Sequence, residues 1–253
     1  MTTLGWRRRV AQRRLFPGDS HKQMSDKRII VAIDGPGASG KSTVALRVAA
    51  KLGYLYINTG AMYRAMALWA LRLNVAPSDM HRMEQLANQA QITLDAQDGH
   101  ITLNGEDVTE AIRDERVSVA ASKVSAIPAV RRALVRIQRG MAEENSVVME
   151  GRDIGSVVFP DAQVKIFLDA LPEERARRRA RELEQKGLHP DLSVVAAELQ
   201  KRDDRDRHRS QSPLTQAPDA TLVDTTGLSI EEVEEVILRL VRARVSNGKE
   251  AAR

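Results

Sequence analysis

A glycine-rich loop that ends in a lysine and a serine is the first chemistry-bearing motif of the chain. Residues 35–42 read Gly-Pro-Gly-Ala-Ser-Gly-Lys-Ser and match the pattern G-x-x-x-x-G-K-[ST]. In such a loop the backbone N–H groups converge on phosphate oxygens, and the following helix adds its positive dipole end. Lys41 can reach the β- and γ-phosphates of a triphosphate, and the Ser42 hydroxyl can ligate Mg²⁺. The predicted ATP-binding set is Gly35, Pro36, Gly37, Ala38, Ser39, Gly40, Lys41, Ser42 and Thr43.

The segments on either side of this loop support the match. A short β-branched run over 28–34 precedes it, and an apolar pattern at helical spacing over 43–52 follows it. The motif does not identify the reaction, because GTPase switches, motor ATPases and small-molecule kinases all carry it. The choice between these classes therefore depends on the second substrate.

The elements that must position the loop predict an α/β domain with a parallel sheet, because strands and helices alternate along the chain. Besides 28–34, short apolar runs predict strands over 54–57, 147–150, 164–169 and 221–224. Helical patterns cover 61–73, 113–142 with a break at Pro128, 173–186, 192–209 and 230–245. The segment 91–109 alternates apolar and polar residues around turn signals, which predicts an inserted antiparallel hairpin unit.

The composition predicts a soluble protein with one sizeable core. Of the 253 residues 42% are hydrophobic, there is no cysteine, and no apolar run approaches the length that crosses a bilayer. Residues 1–23 carry six arginines and lysines against one aspartate, which accounts for the whole net charge of +5. We therefore read residues 1–27 as a basic, disordered extension and expect neither a nucleic-acid nor a membrane partner.

Four further polar clusters follow the loop. They are Asn58–Arg64 (NTGAMYR), Ser122 with Arg131, residues 150–162 (EGRDIGSVVFPDA) and residues 202–209 (RDDRDRHR). In this order, together with the glycine-rich loop, they closely resemble bacterial cytidylate kinases over about residues 28–245. The family often has aspartate where Asn58 and Glu150 stand.

The resemblance implies the three-layer αβα fold of P-loop NTPases with a central parallel sheet, spanning 28–248. It also implies an inserted acceptor-binding subdomain over about 60–125 and a mobile lid over about 172–190. By the same resemblance, nine residues surround an acceptor nucleotide: Thr59, Arg64, Ser122, Arg131, Arg152, Asp153, Arg202, Asp206 and Arg209.

Elementary chemistry supports these positions. A monophosphate is a dianion that guanidinium groups bind in bidentate fashion, and we expect Arg64, Arg152 and Arg209 to do so. The exocyclic amino group of cytosine is a donor that a carboxylate such as Asp153 can accept, with Ser122 and Arg131 on the remaining base edge. Uracil would place a carbonyl against that carboxylate, which is repulsive.

Two arginine-rich helices complete the prediction. Arg202, Asp206 and Arg209 stand at i, i+4 and i+7, so we expect one helical face on which Asp206 holds both arginines. The helix over 173–186 has more arginines than i, i+4 salt bridges require. We expect Arg178 and Arg175 to close over the phosphates and stabilise the charge on the moving phosphoryl group.

The sequence thus predicts a cytoplasmic, monomeric kinase that phosphorylates CMP and dCMP with ATP and Mg²⁺ by direct in-line transfer. Its predicted catalytic residues are Lys41, Arg152 and Arg178. Three alternatives stay open at this point. They are a shikimate- or gluconate-type kinase that uses Asp34 as its base, a non-enzymatic nucleotide-binding switch, and a nucleic-acid binder that uses the basic extension.

Overall fold

The computed structural model describes residues 28–95 and 99–250, with side chains as far as residue 245. The basic extension over 1–27 lies outside the described residues. The strands are β1 Ile30–Asp34, β2 Leu55–Asn58, β3 Ile92–Leu94, β4 Ile101–Leu103, β5 Glu106–Asp107, β6 Val147–Gly151, β7 Val164–Asp169 and β8 Thr221–Asp224. The helices are α1 Lys41–Leu52, α2 Thr59–Arg72, α3 Met80–Gln89, α4 Glu115–Val124, α5 Pro128–Met141, α6 Pro172–Glu184, α7 Leu192–His208 and α8 Ile230–Glu250.

Five strands form one parallel sheet in the order β2-β6-β1-β7-β8, which confirms the predicted α/β class. The central strand β1 pairs with β6 on one side and with β7 on the other. The carboxyl ends of these strands meet at one edge of the sheet. The phosphate loop follows β1 at this edge, and the Gly/Asp-rich loop follows β6 beside it.

Helices cover both faces of the sheet because the strands are apolar on both faces. Along β1, Ala32 packs into one core with α2, α4 and α5, whereas Val31 and Ile33 pack into a second core with α1 and α8. Both clusters consist of nearly fully buried aliphatic side chains, which is typical of a parallel sheet between two helical layers. The predicted three-layer arrangement is therefore confirmed.

A second, antiparallel sheet, β3-β4-β5, extends the first core on the α2 side. The sequence predicted its hairpin, whose turn falls partly on residues 96–98, outside the described residues. Helix α3 was not predicted, although Asp79 caps it and Met83, Leu86 and Ala87 form its buried face. None of the described helices is both long and apolar enough to cross a bilayer.

Candidate active site

The phosphate loop joins β1 directly to α1 and is tightly enclosed. Gly35 has a φ of 148°, and a Cβ atom there would lie 2.0 Å from the carbonyl oxygen of Leu168, so only glycine fits. The Lys41 ammonium is buried and donates to the Pro36 carbonyl at 2.5 Å and to Ser39 Oγ at 3.2 Å. Burial, with a contribution from nearby Arg152, lowers the pKa of Lys41 to about 7. A bound polyanion would reverse this effect and favour the charged ammonium.

Asp34, at the end of β1, holds the loop that follows β6. Its two carboxylate oxygens accept hydrogen bonds from the backbone N–H groups of Ile154 and Gly155, each at 2.8 Å. Burial raises the pKa of Asp34 to about 6. The residues 154–158 form one π-helical turn, which the sequence did not predict. Because both oxygens of Asp34 bind backbone amides, its geometry favours a structural role over that of a hydroxyl-activating base.

One cavity of about 240 Å³ adjoins the phosphate loop and contains every predicted acceptor-side residue. The loop contributes Gly37, Ala38, Gly40, Lys41, Ser42 and Thr43 to its wall. The opposite wall contains all nine residues from the sequence prediction: Thr59, Arg64, Ser122, Arg131, Arg152, Asp153, Arg202, Asp206 and Arg209. These residues come from five separate segments of the chain. Their individual contacts with a nucleotide stay predictions.

At one end of this cavity two arginines bracket a buried carboxylate, an arrangement that we call the paired end. Asp153 Oδ2 accepts from Arg131 Nη2, and its Oδ1 accepts from Arg209 Nη2 at 3.3 Å. The Arg131 guanidinium also lies over the Tyr63 ring, 5.7 Å from its centre. The buried Ser122 hydroxyl lines the same cavity and has no hydrogen-bond partner within the described residues.

Arg64 and Arg202 form the unpaired end, where neither guanidinium group makes a salt bridge within the described residues, although Glu150 lies near Arg64 and Asp206 lies near Arg202. Within the described part of the chain, Arg64 makes no ion pair or hydrogen bond, and the buried Nε of Arg202 has no partner. Burial lowers the pKa of both side chains, for Arg202 to about 10 with a further contribution from Arg152. Two unpaired, largely buried cations create a strong local preference for an anion.

The predicted role of Asp206 on helix α7 is wrong in one respect. Asp206 does not pair with Arg202 or Arg209 but accepts from Arg152 Nε at 3.1 Å. Arg209 lies after the last residue of α7 in an extended conformation, so it does not continue the helical face. Its Nε donates to the Ser212 carbonyl, and its Nη2 bonds Asp153. Arg202 is therefore a better candidate than Arg209 for binding the acceptor phosphate together with Arg64 and Arg152.

The arginines of α6 face three different environments. Arg175 is buried against Asp203 at 2.5 Å, so it is not free to close over phosphates as predicted. Arg178 donates to the side chain and carbonyl of Thr225 and, together with Gly40 and Thr43, lines a second cavity of about 310 Å³. Arg179, which the sequence reasoning missed, lines the first cavity and pairs with Glu115 and Glu182.

A network of polar side chains joins β2 to β6. The Tyr56 hydroxyl donates to Glu150 Oε1 at 2.7 Å and accepts from Asn58 Nδ2 at 3.2 Å. Asn58, which the sequence left without a role, also caps α2 by accepting from the Ala61 N–H. The buried Glu150 and Ser42 of the phosphate loop line the same cavity.

The fold and the site together define a P-loop kinase, because the phosphate loop shares one cavity with a second set of arginine side chains. The chain belongs to the cytidylate kinase family: the family model "Cytidylate kinase" matches residues 31–243. The cytidylate kinase of Solibacter usitatus is 60% identical over 226 residues, covering 88% of this chain and 97% of that protein. The cytidylate kinase of Symbiobacterium thermophilum is 47% identical over 219 residues, covering 85% and 97%.

Proposed function

We propose that the protein transfers the γ-phosphoryl group of ATP to CMP and dCMP. The observation that carries the proposal is the shared cavity, in which the phosphate loop faces two unpaired arginines and the Asp153 cluster. Shikimate and gluconate each carry a single carboxylate, so an acceptor of that type would require fewer cations than this cavity contains. A switch that only hydrolyses its nucleotide would not require a second anion site. The membership of the cytidylate kinase family supports the same substrates.

The proposed reaction is a direct in-line displacement. An oxygen of the acceptor monophosphate is already a nucleophile, so no covalent enzyme intermediate is needed and positioning carries the catalysis. Arg64, Arg152 and Arg202 would hold the acceptor phosphate, and Lys41 would neutralise charge on the β- and γ-phosphates. Arg152, which donates to Asp206 and lies near enough to Lys41 to lower the pKa of that lysine, is the proposed cation for the moving phosphoryl group.

Base recognition is assigned to the paired end of the cavity. A carboxylate oxygen of Asp153 would accept from the cytosine amino group, and Ser122 Oγ would bond another base edge atom. Arg131 and Arg209 hold the Asp153 carboxylate in place. UMP would present a carbonyl to the same carboxylate, so the proposal requires discrimination against uracil.

The residues beside the loop fit a magnesium ion that accompanies ATP. The described residues contain no group of three His, Asp or Glu side chains suited to a metal, so most ligands would be phosphate oxygens and water, as Mg²⁺ prefers with nucleotides. Ser42 and Glu150 would hold the ion, directly or through water. When bound, it would neutralise charge on the β- and γ-phosphate oxygens.

The second cavity is the proposed place for the adenosine of ATP. It lies on the other side of the phosphate loop and combines Arg178 with apolar Leu228, Ile230 and Val233. The proposal keeps residues 60–125 as the acceptor-binding insert and 172–190 as a lid that excludes water when it closes. Because both substrates are cytoplasmic metabolites and one chain lines the whole cavity, the proposal needs only a monomer in the cytoplasm.

A coupled ADP-release assay across CMP, dCMP, UMP, AMP and shikimate tests the proposal. The expected result is fast turnover with CMP and dCMP, much slower turnover with UMP and AMP, and none with shikimate. Equal rates for CMP and UMP would contradict the assignment of Asp153. Turnover with shikimate, or none with any nucleotide, would contradict the proposed function.

A further inference from the structure

Both backbone polar groups of Gly37 in the phosphate loop, its N–H and its carbonyl, bond to side chains from outside the loop. The Gly37 N–H donates to Asp203 Oδ1 at 3.4 Å, and its carbonyl accepts from Arg175 Nη1 at 3.2 Å. The same Nη1 atom donates to Asp203 Oδ2 at 2.5 Å. Asp203 and Arg175 therefore form a closed polar contact with one residue of the triphosphate-binding loop.

This contact lies inside the protein. Asp203 is 2% exposed and Arg175 is 6% exposed, and Arg175 Nε also donates to the Ala170 carbonyl at 3.2 Å. A buried ion pair of this kind is weak evidence for a contribution to stability, because desolvation cancels much of the attraction. Its directed hydrogen bonds to Gly37 point instead to control over the geometry of the loop.

The two side chains belong to different helices, and one of these helices also carries acceptor-side residues. Asp203 lies on α7 between Arg202 and Asp206, both of which line the acceptor cavity, whereas Asp203 itself does not. Leu199, one turn earlier on α7, packs so closely on Gly37 that a Cβ there would lie 3.3 Å from its Cδ2. Any shift of α7 towards a bound acceptor would therefore change the contacts that Leu199 and Asp203 make with Gly37.

The bond from the Gly37 N–H is long enough to respond to such a shift. At 3.4 Å it lies beyond the usual range for N–H···O bonds, so a movement of a few tenths of an ångström would change its strength. Packed elements of this kind transmit small displacements because the interior is dense and resists compression.

We propose that Asp203 and Arg175 are a positioning pair that makes the affinity of the phosphate loop for ATP depend on the occupancy of the acceptor cavity. The proposal rests on the proposed function, since it takes the two anions to be ATP and CMP. Because coupling between two binding sites is reciprocal, ATP would raise the affinity for CMP by the same factor.

Calorimetric titration with the non-hydrolysable analogue AMP-PNP, with and without saturating CMP, measures this coupling. In the wild type, CMP is expected to tighten AMP-PNP binding by about 5-fold or more, the usual scale of coupled sites. In Asp203→Asn the factor is expected to fall to about 1, while the Kd for CMP alone changes by less than about 2-fold. The matched control is Asp204→Asn, which removes the same charge from an exposed neighbour on α7 and should keep the wild-type factor.

The double variant Asp203→Leu with Arg175→Met removes the polar contact without leaving an unpaired buried charge. Apolar replacements of buried ion pairs are often neutral or stabilising, so this variant is expected to fold and to lose the coupling. In the wild type, CMP alone should also slow hydrogen exchange of the phosphate-loop amides, a measurement that needs no variant.

The possible failures can be told apart. If the wild type does not phosphorylate CMP, the proposed function is wrong. If it does, but its coupling factor is near 1, or either Asp203 variant keeps the wild-type factor, or CMP leaves the loop amides unchanged, the positioning pair is wrong.

Discussion

The two ends of the acceptor cavity use arginine in opposite ways. At the paired end Arg131 and Arg209 share the single carboxylate of Asp153, so their charge serves to fix that carboxylate. At the unpaired end Arg64 and Arg202 are largely buried and make no salt bridge among the described residues. An arginine that is paired with a carboxylate can hold that carboxylate in position, whereas an arginine without such a partner remains available to bind an external anion. The presence or absence of a carboxylate partner therefore distinguishes the two roles.

The energetic consequence is that the two ends should respond differently to mutation. Removing a member of a buried ion pair leaves an uncompensated charge and costs about 3–5 kcal/mol. Removing a cation that has no partner relieves a desolvation penalty instead, so it should cost binding without costing stability.

Asp153→Asn should produce the largest change because it leaves Arg131 and Arg209 without their common carboxylate. We expect a loss of about 3–5 kcal/mol in the free energy of unfolding, measured by urea denaturation, together with a loss of CMP over UMP selectivity. The control is Asp161→Asn, which changes the charge of an exposed residue of the following turn. A stability equal to that of the control would contradict the paired end as described.

Arg202→Met should show the opposite signature. Its unfolding free energy should stay within about 1 kcal/mol of the wild type or rise, because a buried Nε without a partner disappears. Its kcat/KM for CMP should fall by about 10- to 100-fold, the scale of a hydrogen bond to a charged group. Arg205→Met, an exposed arginine on the same helix, should change neither quantity. A large loss of stability with unchanged turnover would reverse the assignment of the two ends.

The difference between the two ends of the cavity could be predicted only in part from the sequence. The phosphate loop and the parallel sheet could be predicted, because the loop motif and hydrophobic periodicity report on local structure. The residues that line the cavity were predicted from the resemblance to a known family. The pairing could not, because Asp153, Arg131 and Arg209 are brought together only by the packing of α5 and α7 against the loop after β6. Helical spacing suggested that Asp206 would bond Arg209, but the helix ends at His208 and Arg152 takes that place.

The roles of the α6 arginines were missed for the same physical reason. Arg175, Arg178 and Arg179 are neighbours on α6, and only the packing of α6 against α7 and against the turn after β8 decides which of them meets Asp203, Thr225 or the cavity. Helix α3, by contrast, could have been found, since its cap Asp79 and the apolar spacing of Met83, Leu86 and Ala87 are visible in the sequence.

Lys41 extends the comparison to the triphosphate side, where a buried cation again lacks a carboxylate ion pair among the described residues. Its pKa of about 7 means that the ammonium is charged below pH 7 and increasingly neutral above it. ATP should favour the charged form, so binding at pH 8 should take up a proton, and affinity should fall by up to about tenfold per pH unit above 7.

Calorimetry at pH 8 in two buffers of different ionisation enthalpy measures that proton uptake. Lys41→Arg, which stays charged, should show none, and in the wild type the uptake should disappear below about pH 6. Absence of uptake in the wild type at pH 8 would contradict the lowered pKa.

Ser122→Ala should give the smallest effect. It tests with a neutral group whether a buried polar side chain without a partner contributes to ligand binding and not to stability. The buried hydroxyl has no partner within the described residues, so its removal should not lower stability. CMP binding should weaken by about 5-fold, the value of one neutral hydrogen bond. Ser118→Ala, one turn earlier on α4 and outside the cavity wall, should leave CMP binding unchanged. An equal effect in both variants would remove Ser122 from the base site.

Calorimetric titration of Arg202→Met with CMP and with cytidine tests most directly whether the unpaired arginines bind the acceptor phosphate. If they do, the variant binds CMP about 10- to 100-fold more weakly than the wild type, whereas its affinity for cytidine, which lacks the phosphate, is unchanged. Equal losses for CMP and cytidine, or no loss for CMP, would contradict the division of the cavity into a base end and a phosphate end.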